Sequence, residues 1–311
     1  RMVVPMITGA REVFMSSQSD RQYHARMQLV LRYIDEHLDD RLAVEDLAGV
    51  AAFSKYHFQR QFSALFKISV HRYIQLLRMK RASYRLAFRK QDSVLSVALD
   101  SGFEGPEAFS RAFRQHMDQS PSAAKQKPLW GPWHQAHAHL NQIRSNFMTP
   151  NFSANDVEIL EFPETPVAIK SHRGDPALVG DTIRQFIAWR RAEGLSPAQS
   201  ATFNIFHSNP DETPADEYRL DICAKTNGKI ADNDAGVVAG TIPAGTCARV
   251  RMVGSGDNLR PAISYLYGEW LPASGHELRD DPIFVQRIRF YPDVPEHEAV
   301  TDVFLPIMTQ E

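Results

Sequence analysis

The sequence predicts a multidomain protein: an all-α half carrying two helix-turn-helix units, followed by an α+β half built from two pseudo-twofold-related strand–helix–strand–strand units. Three observations carry this. Apolar residues recur at helical spacing as far as Met117 and mostly at strand spacing after Asp156. A short helix, a tight break and a longer helix occur twice in the first half. The order of elements over residues 157–224 returns over residues 237–307. A chain of 311 residues can bury two cores, and 43% apolar with 23% charged residues suits ordinary folded domains.

In the first half, Met27, Val30, Leu31, Ile34 and Leu38 form one stripe on a helix over His24–Leu38. A short helix over Leu42–Ala51 follows, and Ser54 is placed to cap a helix running to Phe66. Burying Phe58, Phe62 and Leu65 leaves Lys55, Tyr56, Gln59 and Arg60 outward. Val70–Phe88 reads as a longer helix with Tyr73, Ile74, Leu77, Ala82 and Leu86 inward. Its Arg72, Arg78, Lys80, Arg81 and Arg85 suit phosphate contacts or solvation. The unit then repeats: Val94–Asp100, a break at Gly102-Phe103, and a helix over Glu107–Met117 that buries Phe109, Phe113 and Met117.

The second helix of such a pair is the one that enters a DNA major groove. Charge agrees in sign: residues 24–127 hold 17 basic and 11 acidic groups, whereas residues 156–311 hold 14 basic and 24 acidic. A polyanion is attracted to the first half and repelled by the second. The stretches SKYHFQRQFSALFKISVHRYIQLLRMKRA and VLSVALDSGFEGPEAFSRAFRQHMDQSPSAAK resemble the DNA-binding domain of the AraC/XylS family over nearly all of residues 24–127. The resemblance implies double-stranded DNA as partner, with RNA polymerase as a further one. It places Tyr56, Gln59 and Arg60 at base-facing positions of the first reader, and Pro106, Glu107, Ala108 and Arg111 in the second. Pro106 offers no side-chain donor there. Glu107 could accept from cytosine or favour the positive end of its helix, so Arg111 is expected to carry the second reading.

Residues 128–155 lack alternation and read as a linker whose Trp130 and Trp133 dock onto a domain. His134, His137 and His139 lie close together, but no cysteine or carboxylate joins them in a standard ligand pattern, and no metal is expected. The two cysteines, Cys223 and Cys247, fall in strand-like runs and read as free buried thiols, giving no disulfide framework. Without an apolar run of membrane-spanning length, a cytoplasmic setting is expected. Residues 1–20 carry no fold signal.

From residue 156 the strands are Val157–Phe162, Val167–His172, Thr202–His207 and Tyr218–Ala224, with a helix from Pro176 to Glu193 ended by Gly194. The copies are Val237–Pro243, Thr246–Met252, Phe284–Phe290 and Thr301–Ile307, with a helix over Asn258–Trp270. One unit alone exposes an apolar sheet face, so the two are expected to join about a pseudo-twofold axis, their helices flanking a groove. Phe186, Trp189, Tyr265, Tyr267, Trp270, Phe203 and Phe284 are candidates for its walls or for core, and Glu269 for a charge facing a cationic ligand. TDVFLPI, SGHELRDDPIF and AISYLYGEWLP resemble the GyrI-like effector-binding domain over about residues 156–307. That family often places a Glu in the strand after such a proline, whereas Pro282-Ile283-Phe284-Val285-Gln286-Arg287 holds no acid. The ligand class therefore stays open between small apolar and cationic. The order of domains resembles the Rob-like arrangement. Together the two resemblances imply a ligand-controlled transcription regulator without cofactor and not an enzyme. The alternatives are a hydrolase using Glu269, or an interaction module with no small ligand.

Overall fold

In a computed structural model the structure describes residues 18–148, 150–256 and 259–308. The extension without fold signal thus lies almost wholly outside the described residues, as do Asp257 and Asn258 at the expected start of the second domain's second helix.

Helices α1 (Gln18–Glu36), α2 (Val44–Val50), α3 (Lys55–Phe66) and α4 (Val70–Phe88) close around one core. Helices α5 (Val94–Asp100), α6 (Pro106–Met117) and α7 (Pro121–Gln126) close a second core against the far end of α4. Serine caps start most of these helices: Ser54, Ser69, Ser93 and Ser120 each accept a backbone N–H from three residues on. The 19 residues of α4 span about 28 Å, making it the rigid bar between the units.

The two units superpose residue by residue in their logic. Ala52 (φ 54°) and Gly102 (φ 81°) both turn the chain out of the short helix in the left-handed conformation. Phe53 N–H then bonds to Ala48 carbonyl (2.9 Å) and Phe103 N–H to Ala98 carbonyl (3.1 Å). Phe58, Phe62 and Phe66 recur as Phe109, Phe113 and Met117, all buried. One added residue in the second turn shifts the register between the short and long helices.

The segment expected as a linker holds an 18-residue helix, α8 (Trp130–Phe147). Its buried side is Trp130, His137, Leu140, Ile143 and Arg144, and Leu140 and Ile143 complete the first core. Both tryptophans are docked: Trp133 packs on Tyr84 (4.8 Å between centroids) and Trp130 on Phe88 (5.9 Å). The clustered histidines do not converge on a metal-ligating group among the described residues. His137 is instead buried beside Ser83 (3.5 Å) and the Trp133 ring (4.7 Å).

The second domain is one eight-stranded antiparallel sheet curled into a half-barrel. Its strands are β1 (Val157–Phe162), β2 (Thr165–Arg173), β3 (Thr202–Phe206), β4 (Arg219–Lys225), β5 (Val238–Ile242), β6 (Gly245–Val253), β7 (Phe284–Arg289) and β8 (Val300–Pro306). The order β1-β6-β8-β7-β3-β4-β2-β5 reads the same when the two units are exchanged, so the pseudo-twofold axis passes between β3 and β7. Each unit lends its first strand to the other's edge: β1 pairs with β6 and β5 with β2. Helix α9 (Val179–Ala192) covers one half through Phe186 and Trp189. The second half is covered by α10 (Leu259–Tyr265), a π turn (Leu266–Trp270) and α11 (Leu271–Ser274), ended by Gly275 at φ 74°. On the opposite face, Phe162, Phe203, Phe284 and Phe304 fill the inside of the curl with both cysteines, which are free thiols. No helix of the described residues is long and apolar enough to cross a membrane.

A Cβ on Gly102 meets the Arg78 guanidinium at 2.9 Å in a conformation L residues disfavour, so Gly102→Ala is expected to cost about 1–2 kcal/mol. Ala52→Gly, which relieves the same conformation in the first unit, should be neutral or stabilising by up to about 1 kcal/mol. Urea midpoints of the two variants test this pair. Burial, with Lys80 nearby, holds His137 at about 3, far below an ordinary imidazole. The unfolded chain therefore binds the proton first as pH falls below about 6.5, and stability should drop by roughly 1 kcal/mol per pH unit from there toward about 3. Replacing His137 by Gln should flatten that slope in a pH series of melts.

Candidate nucleic-acid interface and the domain seam

Reader helices expose what the sequence marks as outward. On α3, burial of Phe58, Phe62 and Phe66 turns Tyr56, Gln59 and Arg60 to solvent, and Tyr56 is 58% exposed. The Arg60 guanidinium lies 4.5 Å from the Tyr56 ring centroid, which preorganises both side chains on one face. On α6, Pro106 sits in the first turn behind Gly105, which offers no capping side chain. Glu107 occupies that turn, where the helix dipole favours a carboxylate, and Arg111 projects one turn later; both are exposed.

Most of the basic residues of α4, offered for phosphate contacts or solvation, serve neither. Arg78 donates to the Leu38 and Asp40 carbonyls, Arg81 pairs with Asp39, and Arg85 pairs with Asp92 and Asp100 at 2.6 Å each. Lys80 is 1% exposed. Only Arg72 of that set stays exposed. These cations are consumed in internal contacts, within the helical units and across to the second domain, so the surplus of positive charge overstates what DNA could meet.

The aromatic candidates of the second domain do not converge on one cavity. Phe186 and Trp189 stack on each other under α9, buried in its core. Trp270 is core under the π turn, and Tyr265 packs on Phe152 (5.7 Å) beyond the sheet edge. Phe203 and Phe284 lie on the far side of the sheet, because residues alternate faces along β3 and β7. Glu269 is exposed on the π turn, close enough to Tyr265 for its charge to act on that hydroxyl, and Tyr267 is 39% exposed. The strip of sheet between α9 and α10 is polar instead. Arg287 donates to Asn204 (3.1 Å), and Arg190 of α9 donates to Thr202 (2.6 Å).

That strip is covered at one end by the first domain. Tyr84 of α4 packs on Tyr291 (4.8 Å), within electrostatic range of Arg287. Trp130 presses on Gly180, where any Cβ would fall 2.4 Å from its ring. Arg184 donates to the Lys125 and Gln126 carbonyls at 3.1 and 2.7 Å, and Arg89 pairs with Asp293. At the centre of the seam stands Glu296, with a carboxylate reached by Lys80 (3.0 Å), Ser255 (2.6 Å) and Arg144 (3.5 Å). Arg144 in turn holds Asp35 at 2.8 Å. Burial opposes the Glu296 charge, yet Lys80 and Arg144 outweigh it and hold the carboxyl at about 2. Burial prevails at Asp35 and raises its pKa against the pull of Arg144.

Sequence reasoning missed this cluster. Lys80 falls on the buried stripe with Tyr73 and Leu77, and a cation there asks for a buried acid. Glu296, in a turn between β7 and β8, carries no such signal.

The comparisons follow the same division. Residues 155–308 match the GyrI-like family, described as a small molecule binding domain, and residues 47–127 match a helix-turn-helix domain. The chain is 37% identical over 153 residues to the probable transcriptional regulator YgiV of Escherichia coli K12, covering 49% of this chain and 96% of that protein. The chain belongs to the AraC/XylS-type regulators that carry a GyrI-like domain. It is a DNA-binding transcription regulator with a carboxy-terminal effector-binding module. In its first half it is 31% identical over 112 residues to the transposon Tn10 TetD protein of E. coli, 36% of this chain and 80% of that one. It is 24% identical over 138 residues to the regulator Rob of Salmonella typhimurium, 44% of this chain and 45% of that one.

Glu296→Gln leaves Lys80 and Arg144 buried without a full countercharge, a change that costs about 3–5 kcal/mol where a buried pair is broken. The expected outcome is separation of the domains, read as faster hydrogen exchange in the β7–β8 turn and in the middle of α4, and as a larger radius of gyration. The wild-type seam should loosen in the same way as pH falls from about 4.5 toward about 2, because a carboxyl with a depressed pKa stabilises only while ionised.

Proposed function

We propose that α3 and α6 read two successive major-groove segments from one face of double-stranded DNA. Tyr56, Gln59 and Arg60 read the first, and Arg111, with Glu107, reads the second. The observation that carries this is the exposure of these side chains on two matching helices held apart by a single rigid bar. Arg60 and Arg111 are suited to paired bonds with a guanine edge, whereas Arg72 is placed for phosphate and Lys55 is paired with Glu45. RNA polymerase is the further partner that a promoter-bound regulator of this kind would engage.

We infer also that a small molecule bound in the second domain controls the first. Its seat is the polar strip between α9 and α10, lined by Thr202, Asn204 and Arg287, rather than the aromatic set of Phe186, Trp189, Tyr265, Trp270 and Phe284, which the core already uses. Glu269 is exposed and is left as a surface acid.

An operator selected from random duplexes provides the test. Arg60→Ala and Arg111→Ala should each relax preference at separate base positions by about 1–3 kcal/mol. Arg72→Ala should weaken binding to all sequences alike and lower the salt slope by about one ion. Unchanged sequence preference in either reader variant overturns that assignment.

A further inference from the structure

We infer that the molecule seated in the strip between α9 and α10 is an anion whose carboxylate meets Arg287, rather than the cation or the plain apolar molecule that the sequence leaves open. This rests on the seat proposed for that strip. Register puts the groups on one surface. Thr202 of β3 lies opposite Arg287 of β7, and Asn204 follows two residues along β3 on the same face of the sheet. Arg190 of α9 donates to Thr202 Oγ1 (2.6 Å), so this is the face that the helices flank. Two guanidiniums therefore stand in one polar patch. Several other buried or half-buried arginines are met by acids: Arg144 by Asp35, Arg219 by Asp221 and Arg85 by Asp92. These two are met by neutral oxygens alone.

Arg190 is structural: its three nitrogens donate to Thr202, to the Ser200 carbonyl (2.8 Å) and to the Leu195 carbonyl (2.9 Å). Arg287 is less spent. Its Nε donates to Asn204 (3.1 Å), Nη1 comes no closer than 3.5 Å to Thr301 Oγ1, and Nη2 makes no hydrogen bond among the described residues. The side chain is partly exposed, and beside Nη1 stands the exposed Gly256, with no side chain to fill that space. A fork of two terminal nitrogens takes a carboxylate through two parallel bonds. Nor does the fold ask for a cation at this position. The exchange of units that carries Phe203 onto Phe284, both inside the curl, carries Phe206 onto Arg287 and Asn204 onto Val285. It keeps the strand partners in step, with Asp221 opposite Ile205 and Asp302 opposite Gln286. At the matching position Phe206 packs on core, so Arg287 and Asn204 are polar departures from an apolar pattern. Burial brings both guanidiniums down to about 10, so each stays charged at neutral pH with no acid to offset its desolvation. A bound carboxylate supplies that offset at Arg287, whereas an ammonium adds a third positive charge.

Titration calorimetry on the full chain compares benzoate, benzamide and benzylammonium, which share a body and differ in charge. Benzoate should bind saturably, and the other two at least about tenfold more weakly. Arg287→Gln should weaken benzoate by about tenfold or more without lowering the melting temperature of the free protein, because no acid loses its partner. Arg287→Glu should reverse the order in favour of benzylammonium, which a merely structural arginine would not do. Backbone amide shifts of Thr202 and Asn204 locate the bound probe. Equal affinity for all three probes, with both amides shifted, overturns the anionic class and leaves the seat in the strip standing. No saturable benzoate binding at millimolar concentration also overturns the class. Saturable binding that moves neither amide and ignores both Arg287 variants overturns the seat with it.

Discussion

One buried carboxylate decides how the two halves of this protein stand. Glu296 leaves the β7–β8 turn and enters the first domain, where Lys80 of α4 and Arg144 of α8 meet it. Charges buried to this degree contribute little to stability compared with an apolar replacement, because desolvation cancels much of their attraction. What they contribute is exclusivity. Any other orientation takes the Glu296 carboxylate away from buried Lys80 and leaves Arg144 only its Asp35 partner, at a cost of several kcal/mol, so the seam tolerates one docking geometry. Apolar contacts around it, such as Trp130 on Gly180 and Tyr84 on Tyr291, add area but could slide.

The same cluster explains the placement of α4. A helix that only separated two DNA readers would need its apolar stripe inside and its cations outside. Here the cations serve three tasks along its length. Arg78 and Arg81 fasten the first unit, Arg85 the second, and Lys80 the effector domain. A single rigid element therefore touches both reader units and the sheet that faces them, and a shift at the sheet has a direct mechanical path to the spacing of α3 and α6.

Much of this was legible because period and chain order carry it. Apolar stripes located α1 to α6, and alternation located all eight strands with small changes at their ends. The duplicated order implied the pseudo-twofold axis, which the sheet shows between β3 and β7. Exchange of β1 and β5 between the units was not legible, since a lone edge strand alternates alike wherever it pairs. Helix α8 was hidden for a physical reason. Its stripe runs Trp130, Trp133, His137, Leu140, Arg144, at proper helical spacing, but two of its five members are polar residues that only tertiary partners make burial-competent. The aromatic groove failed on the same ground in reverse. Large apolar side chains in a small domain are wanted by the core first, and here Phe284 and Trp270 serve it from opposite faces of one sheet.

This has a consequence for control. The polar strip between α9 and α10, floored by Asn204 and Arg287, is the part of the sheet not committed to core, and α4 lies over one end of it. On the proposed reading, a molecule in that strip that reached the covered end would compete with Tyr84, and so with the docking that Glu296 fixes; linkage then couples its binding to the state of that joint. Such a molecule need not touch DNA, because it acts through whether α4, which separates the readers, is held by the sheet or released from it.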